Sequence, residues 1–292
     1  MDENNVVADE KNELSEYLKS LKNLMKFMND FQNIKTKDSD AIEKFEKAIN
    51  RMPKSDVLCS ALEEYKISCE KFINETKSIR IKEFKKHETS YIKDAKAQGK
   101  IVREYSEGWR IDRLQLHLKP ELSKCRVLYN NEVVINWSNI NSKDDFIKIE
   151  DKANNMLDEA AISEEQLIEL LWEAYVQGIN RLSGKSNSTT LPIQNLYKEF
   201  RIALIRKQLE EKKFTAKINK YLEFPLWCFL YNLDLYRTWG SKIPATKRIV
   251  LQTGSMQETS QGKGFIVNGI NANEEYKVMC YVYAFKEGAA AR

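Results

Sequence analysis

Leu14-Ser15-Glu16-Tyr17-Leu18-Lys19-Ser20-Leu21-Lys22-Asn23-Leu24-Met25-Lys26-Phe27-Met28 is the stretch whose periodicity decides the fold class. Leu14, Leu18, Leu21, Met25 and Met28 recur at spacings of four and three, with charged residues between them. On a helix that spacing lays one apolar stripe along one side, the pattern of a coiled-coil seam. The helix is expected from about Glu10 to Phe31. Lys35 to Asp40 interrupts it, and Ser39 or Asp40 stands where it can cap a short second helix. That helix carries Ile42, Phe45, Ile49 and Met52 and stops at Pro53.

A third helix is expected from near Ser55, because Leu58, Leu62, Tyr65, Cys69, Phe72, Thr76 and Ile79 keep the same alternation. No Gly or Pro occurs between Pro53 and Gly99. About 40 helical residues make a rod of ~60 Å. A rod of that length is stable only where its stripe is buried. Two arrangements meet that need. The first helix folds back on the third as an antiparallel hairpin, or the stripe receives a second copy of the chain or a different protein. The third helix outruns the first, so both are expected. In the second arrangement Leu58, Leu62, Tyr65, Phe72 and Ile79 are the candidate partner-binding residues.

After Gly99 and Gly108 the period changes to two. Leu114, Leu116 and Leu118 alternate with Arg113, Gln115 and His117. Pro120 to Lys124 turns the chain, and Val127 and Tyr129 then face Val133, Ile135 and Trp137 across Asn130-Asn131. That pair tolerates the positive φ of a two-residue hairpin, so a three-stranded meander is expected. Helices return from about Ile149. Ser163-Glu164-Glu165-Gln166 is a capping-box pattern ahead of Leu167, Leu170, Leu171, Ala174 and Tyr175. Arg181 to Thr190 reads as a loop, and Pro192 as the first turn of a helix with Leu196, Phe200, Ala203 and Leu204. Strands return over Arg248–Gln252, Gly264–Asn268 and Tyr276–Phe285.

The fold class is therefore α+β. A long N-terminal helical, coiled-coil-like arm over 1–105 precedes a mixed α/β globular domain over 106–292. Strands over 111–137 and 247–285 bracket helices over 150–240. Three-stranded sheets are marginal alone, so one antiparallel sheet or sandwich with a helical insertion is expected. A chain of 292 residues has room for two such units. Gly269-Ile270 followed by Tyr276-Lys277-Val278-Met279-Cys280-Tyr281-Val282 resembles the end of a fibronectin type III repeat over ~20 residues, with Ala272 where that family has Pro. The resemblance implies a sandwich-like edge with a tyrosine opening a central strand.

Motifs of catalysis are scarce. No phosphate loop, nucleophile elbow or dinucleotide fingerprint occurs. Two weak patterns remain. Arg80 and His87 resemble the R-x(4-6)-H motif of helical HEPN ribonucleases, which implies a cation and an imidazole acting on a phosphodiester. Asp144, Asp145, Glu150 and Lys152 include an E-x-K triplet of the kind metal-dependent nucleases place after a strand. The five cysteines have no C-x-x-C spacing, and the two histidines are far apart, so neither a metal nor a cofactor is expected. Scattered cysteines in odd number read as reduced thiols, hence a cytoplasmic protein. The start lacks a secretory pattern, and the most apolar stretch, Phe224 to Leu235, is interrupted by Asn232 and Asp234, so no membrane association is expected.

Net charge is +4, but the charges come in blocks. Nine Lys/Arg face three Asp/Glu over 77–103, and eight face three over 198–220. Over 151–173 seven acidic residues face one basic residue. These blocks are either solvated helix faces that pair with one another or phosphate-contacting stripes. Lys82, Lys85, Lys86 and Lys93, and in the second stripe Arg201, Arg206 and Lys207, are the candidate nucleic-acid contacts. Tyr91, Tyr105 and Trp109 are candidate base-stacking residues, and Trp227, Phe229, Tyr231, Tyr236 and Trp239 read as core or as a ligand cavity. The expected function is a non-catalytic adaptor or accessory subunit of an intracellular complex, with a protein partner or self-association through the arm. The alternatives are a non-specific nucleic-acid-binding subunit beside a separate ATPase or nuclease, and a HEPN-like ribonuclease using Arg80 and His87.

Overall fold

The computed structural model describes residues 3–34, 40–50, 60–183, 189–210, 224–267 and 277–285. Side chains are described throughout these except at 3–14, 16, 17, 20, 48–50, 60–66, 183, 208, 210 and 241. The fold is α+β: long N-terminal helices lead into a five-stranded antiparallel sheet. Two compact units are present. One comprises 1–94, 118–125 and 137–146, the other 95–117, 126–136 and 147–292.

The arm contains α1 (Glu3–Asn33), α2 (Ala41–Asn50) and α3 (Ser60–Ala97). Their meeting point is a knot of phenyl rings. Phe31 lies 4.8 Å from Phe45 and 6.4 Å from Phe72, and Phe45 meets Phe72 edge-on at 5.6 Å. Edge-to-face and tilted contacts of this kind add to the burial of the rings themselves. Ala41, Phe45, Cys69 and Ile73 complete the buried floor. Lys77 of α3 pairs with Glu46 of α2 at the rim. The length of α3, 38 residues, follows from the absence of breakers. It ends where Gly99 takes φ +78°, with Gly99 N–H donating to Lys96 O and Lys100 N–H to Ala95 O, the Schellman pattern.

The first sheet runs in the order β1 (Val102–Tyr105), β2 (Gly108–Ile111), β3 (Leu114–Lys119), β4 (Lys124–Tyr129), β5 (Glu132–Asn139). It has two strands more than the expected meander, because the segment after Gly99 pairs as its own hairpin, Val102 opposite Ile111. The Asn130-Asn131 turn is as expected, with φ of +49° and +67°. Gln115 locks it: its amide donates to Asn131 Oδ1 while its oxygen accepts from Asn131 N–H.

Among the described residues the helices α4 (Lys143–Ala160), α5 (Glu164–Ser183), α6 (Ile193–Glu210) and α7 (Leu226–Trp239) follow. α4 starts six residues before the expected Ile149. Pro192 closes a short strand, β6 (Thr190–Pro192), rather than opening α6. The second sheet is centred on β9 (Lys277–Ala284). β7 (Ile249–Thr253) takes one edge of it, and β6 with β8 (Phe265–Val267) takes the other in succession. A short helix, α8 (Met256–Ser260), is closed by a capping box between Ser255 and Glu258. The strands before and after the helical block therefore do not join: each set finds enough partners of its own, β9 by recruiting β6 from inside the block. Of the fibronectin-like segment, β9 is central to its sheet, whereas 268–276, with Gly269, Ala272 and Tyr276, lie outside the described residues.

Candidate protein-interaction surface

α1 carries two apolar stripes. Leu24, Phe27, Phe31 and Ile34 face the phenyl knot. Leu18, Met25 and Met28 do not: Leu18 is 51% and Met25 64% exposed, against 2% for Phe27. At 100° per residue the two stripes are about 120° apart. The heptad row expected to seal against the third helix is thus the outer one. The reason lies in area: phenyl rings bury more surface than Leu and Met, and α2 supplies Phe45 as their partner. Leu21 is half-buried between the two rows, and the side chain of Leu14 lies outside the described residues.

Along α3 the inward positions are Cys69 and Ile73, with Phe72 at the rim of the knot. Ile67, Ile79 and Ile81 are exposed, and Ile67 and Ile79 line an open pocket with Asn74 and Ser78. Of the candidate partner-binding residues, Phe72 is thus engaged within the arm and Ile79 is open. Leu58 lies outside the described residues, as do the side chains of Leu62 and Tyr65.

Lys82, Lys86 and Lys93 are exposed on α3 and make no ion pair with a described residue. Lys85 turns aside to Glu88 at 2.9 Å. The second basic stripe is different. Arg206 pairs with Glu173, Arg181 with Glu199 at 3.0 Å, and Arg201 lies 5.7 Å over the ring of Tyr197. Lys207 is half-buried. Part of this stripe is therefore matched by the acidic block, as Lys247 matches Glu169.

Arg80 and His87 are both half-buried on one face of α3, two turns or ~10 Å apart along its axis. Asp144 and Asp145 open α4, and Glu150 and Lys152 lie within it, so the E-x-K triplet follows no strand. Glu150 is buried, with both oxygens accepting from Lys100 Nζ at 2.8 Å. Among the described residues no group of three or more His, Cys, Asp or Glu could hold a metal ion. Tyr91 is core, stacked at 5.0 Å on Phe146, and is removed from the base-stacking candidates. Trp109 lies under Lys96, and Tyr105 beside His117 at 5.5 Å. Trp227, Phe229, Tyr231 and Tyr236 are buried and Trp239 is half-buried, packing as core.

One polar cluster matches no sequence motif. His117 Nδ1 lies 2.6 Å from Glu107 and 2.9 Å from Arg126. Burial lowers the pKa of the imidazole, Glu107 opposes that shift and Arg126 adds to it. Cys69, Cys125, Cys228 and Cys280 form no disulfide and are buried, and burial, with Glu88 nearby, pushes the Cys125 thiol up to about 12. The Cys125 thiol therefore stays protonated near neutral pH. No helix among the described residues is long and apolar enough to cross a membrane. No family model, curated protein or solved structure matches the chain.

Proposed function

We propose that the protein is a non-catalytic adaptor or accessory subunit of a cytoplasmic multiprotein complex, acting through its helical arm. The observation that carries this reading is the heptad-spaced row Leu18, Met25 and Met28 exposed along α1. Single exposed apolar residues are ordinary, but a periodic row is a docking pattern for an amphipathic helix. Covering the exposed part of these three side chains, roughly half of their area, contributes on the order of 2–5 kcal/mol before association costs of similar or larger size. The affinity of this row alone is then modest, and neighbouring charges set its specificity.

The test is co-purification of tagged full-length protein, wild type against Leu18→Asp/Met25→Asp/Met28→Asp, read by mass spectrometry. A defined set of proteins lost in the variant, with helicity unchanged, is the expected result. Identical sets from both would sink the reading. The second reading, nucleic-acid binding, is favoured by Lys82, Lys86 and Lys93 standing exposed and unmatched by described carboxylates. It is checked by fluorescence titration at two salt concentrations.

A further inference from the structure

Two groups claim one ring nitrogen of His117. Glu107 Oε2 stands 2.6 Å from Nδ1, and a terminal nitrogen of Arg126 stands 2.9 Å from the same atom. A ring nitrogen carries either a lone pair or a hydrogen. With the lone pair it accepts from Arg126 and sets electron density against the carboxylate oxygen. With the hydrogen it donates to Glu107 and meets the guanidinium donor to donor. The three groups sit on separate pieces of the first sheet. Glu107 is in the turn that joins Tyr105 to Gly108, His117 is on β3 opposite Gly108, and Arg126 is on β4. The imidazole side chain is 12% exposed and the Glu107 side chain 61%, so the ring is held while the carboxylate has water as an alternative. Tyr105 lies beside the ring at 5.5 Å. Arg103, Arg110 and Lys119 share its side of their strands one register step away.

We infer that His117 is a proton-operated selector between two partners: neutral, its Nδ1 holds Arg126 and lets the Glu107 turn go; protonated, it holds Glu107 and lets Arg126 go. This is independent of the adaptor reading of the arm. Burial favours the neutral ring most strongly, Glu107 opposes it and Arg126 adds to it, and the balance sets the pKa below the ordinary 6.5. The Arg126-bound form therefore prevails near neutral pH, and the exchange falls on the acid side of it. The folded chain binds fewer protons there than the unfolded chain. The contribution to stability is thus complete above 6.5 and is lost as pH falls through the folded value. Acidification draws the tip of the β1–β2 hairpin onto the ring and moves the guanidinium off it, a change of shape made by one proton.

The experiment is a long-range proton–nitrogen correlation spectrum of the histidine rings in the full-length chain, recorded from about pH 8 down to about pH 4.5. His87 is the other histidine, and a His87→Gln variant assigns the signals. At the high end His117 is expected as the Nε2–H tautomer, with Nδ1 accepting. At the low end both nitrogens carry hydrogen. The Glu107 carboxyl carbon and the Arg126 Nε–H signal should each show an inflection at the midpoint of the ring. Glu107→Gln lowers that midpoint and Arg126→Met raises it, each by about half a unit or more. The wild-type spectra test the selector by themselves, so a variant that fails to fold leaves it open to refutation. An Nδ1–H tautomer at the high end makes Glu107 the standing partner and overturns the selector. A ring still neutral in the folded chain at the low end overturns it too, as do Glu107 and Arg126 signals that ignore the titration.

Discussion

Asn232 shows how much one polar side chain can organise. It is fully buried, and its oxygen accepts from Ile162 N–H at 2.8 Å. Its amide donates to Ala160 O and Cys228 O, each at 2.8 Å. The turn between α4 and α5 is thereby tied to α7. Asn232→Ala leaves a half-buried amide and carbonyl of that turn without their protein partners, at a cost of about 1–3 kcal/mol. A urea midpoint unchanged in the variant would contradict this. Glu258 gives a pH signature. The Tyr281 hydroxyl, and next the Ser255 backbone and side chain, donate to it and hold its carboxyl down to about 2, against an ordinary value of 4.5. The folded form binds fewer protons in that interval, so the stabilisation is complete above the unfolded value and disappears as pH falls toward 2. Glu258→Gln should flatten the acid limb of thermal stability between about pH 5 and pH 2. Limbs of equal slope would show that the cluster is not coupled to folding.

At the scale of the element, the two faces of α1 make opposite predictions. Phe27 is inside the phenyl knot, and Phe27→Ala should cost about 3–5 kcal/mol and melt the arm early. Met25→Asp is on the open face and should leave the melting of the arm within about 0.5 kcal/mol of wild type. Equal losses in both, by circular dichroism at a concentration where the chain is monomeric, would mean that the outer row is packed after all. β9 holds a second constraint. A Cβ on Gly254 would stand 2.3 Å from Cys280 Sγ, and one on Gly264 2.7 Å from it. These glycines are required by close approach of the chain to β9, not by backbone dihedral. Gly254→Ala should therefore destabilise the second sheet by about 1–3 kcal/mol, seen as earlier amide exchange in β7 and β9.

For the whole molecule the small net charge conceals an uneven distribution. In the second basic stripe Arg206 is matched internally, so Arg206→Glu is expected to cost stability more than any binding. Lys82, Lys86 and Lys93 are free to meet an external anion. If they contact nucleic acid, affinity falls with log salt by about 0.9 per phosphate neutralised, and Lys82→Glu/Lys86→Glu/Lys93→Glu abolishes it. Absence of binding by the wild type at low salt would leave these lysines as solvated surface or a dock for an acidic protein. The adaptor reading also expects RNA to survive incubation with the purified protein. Cleavage that disappears in His87→Ala, with the fold intact, would replace it.

Local pattern alone determined the α+β class, the three helices of the arm, the Asn130-Asn131 hairpin and the return to helices after the first strands. Spacing, breakers and turn residues act within a few positions of themselves, so they are readable in order along the chain. Tertiary structure alone decided which face of α1 turns inward. Both rows were present in the sequence at coiled-coil spacing, but burial went to the one that met Phe45, Cys69 and Phe72. It also decided that β6 would join β9, where Thr190 stands opposite Tyr283, 93 residues further along the chain, and that the described strands divide between two separate sheets. The pairing of Arg206 with Glu173 was likewise out of reach of periodicity. Periodicity reports that a face is apolar or charged; which distant segment satisfies it depends on competition among all the surfaces the chain brings together, and the row on α1 is the one that competition left open.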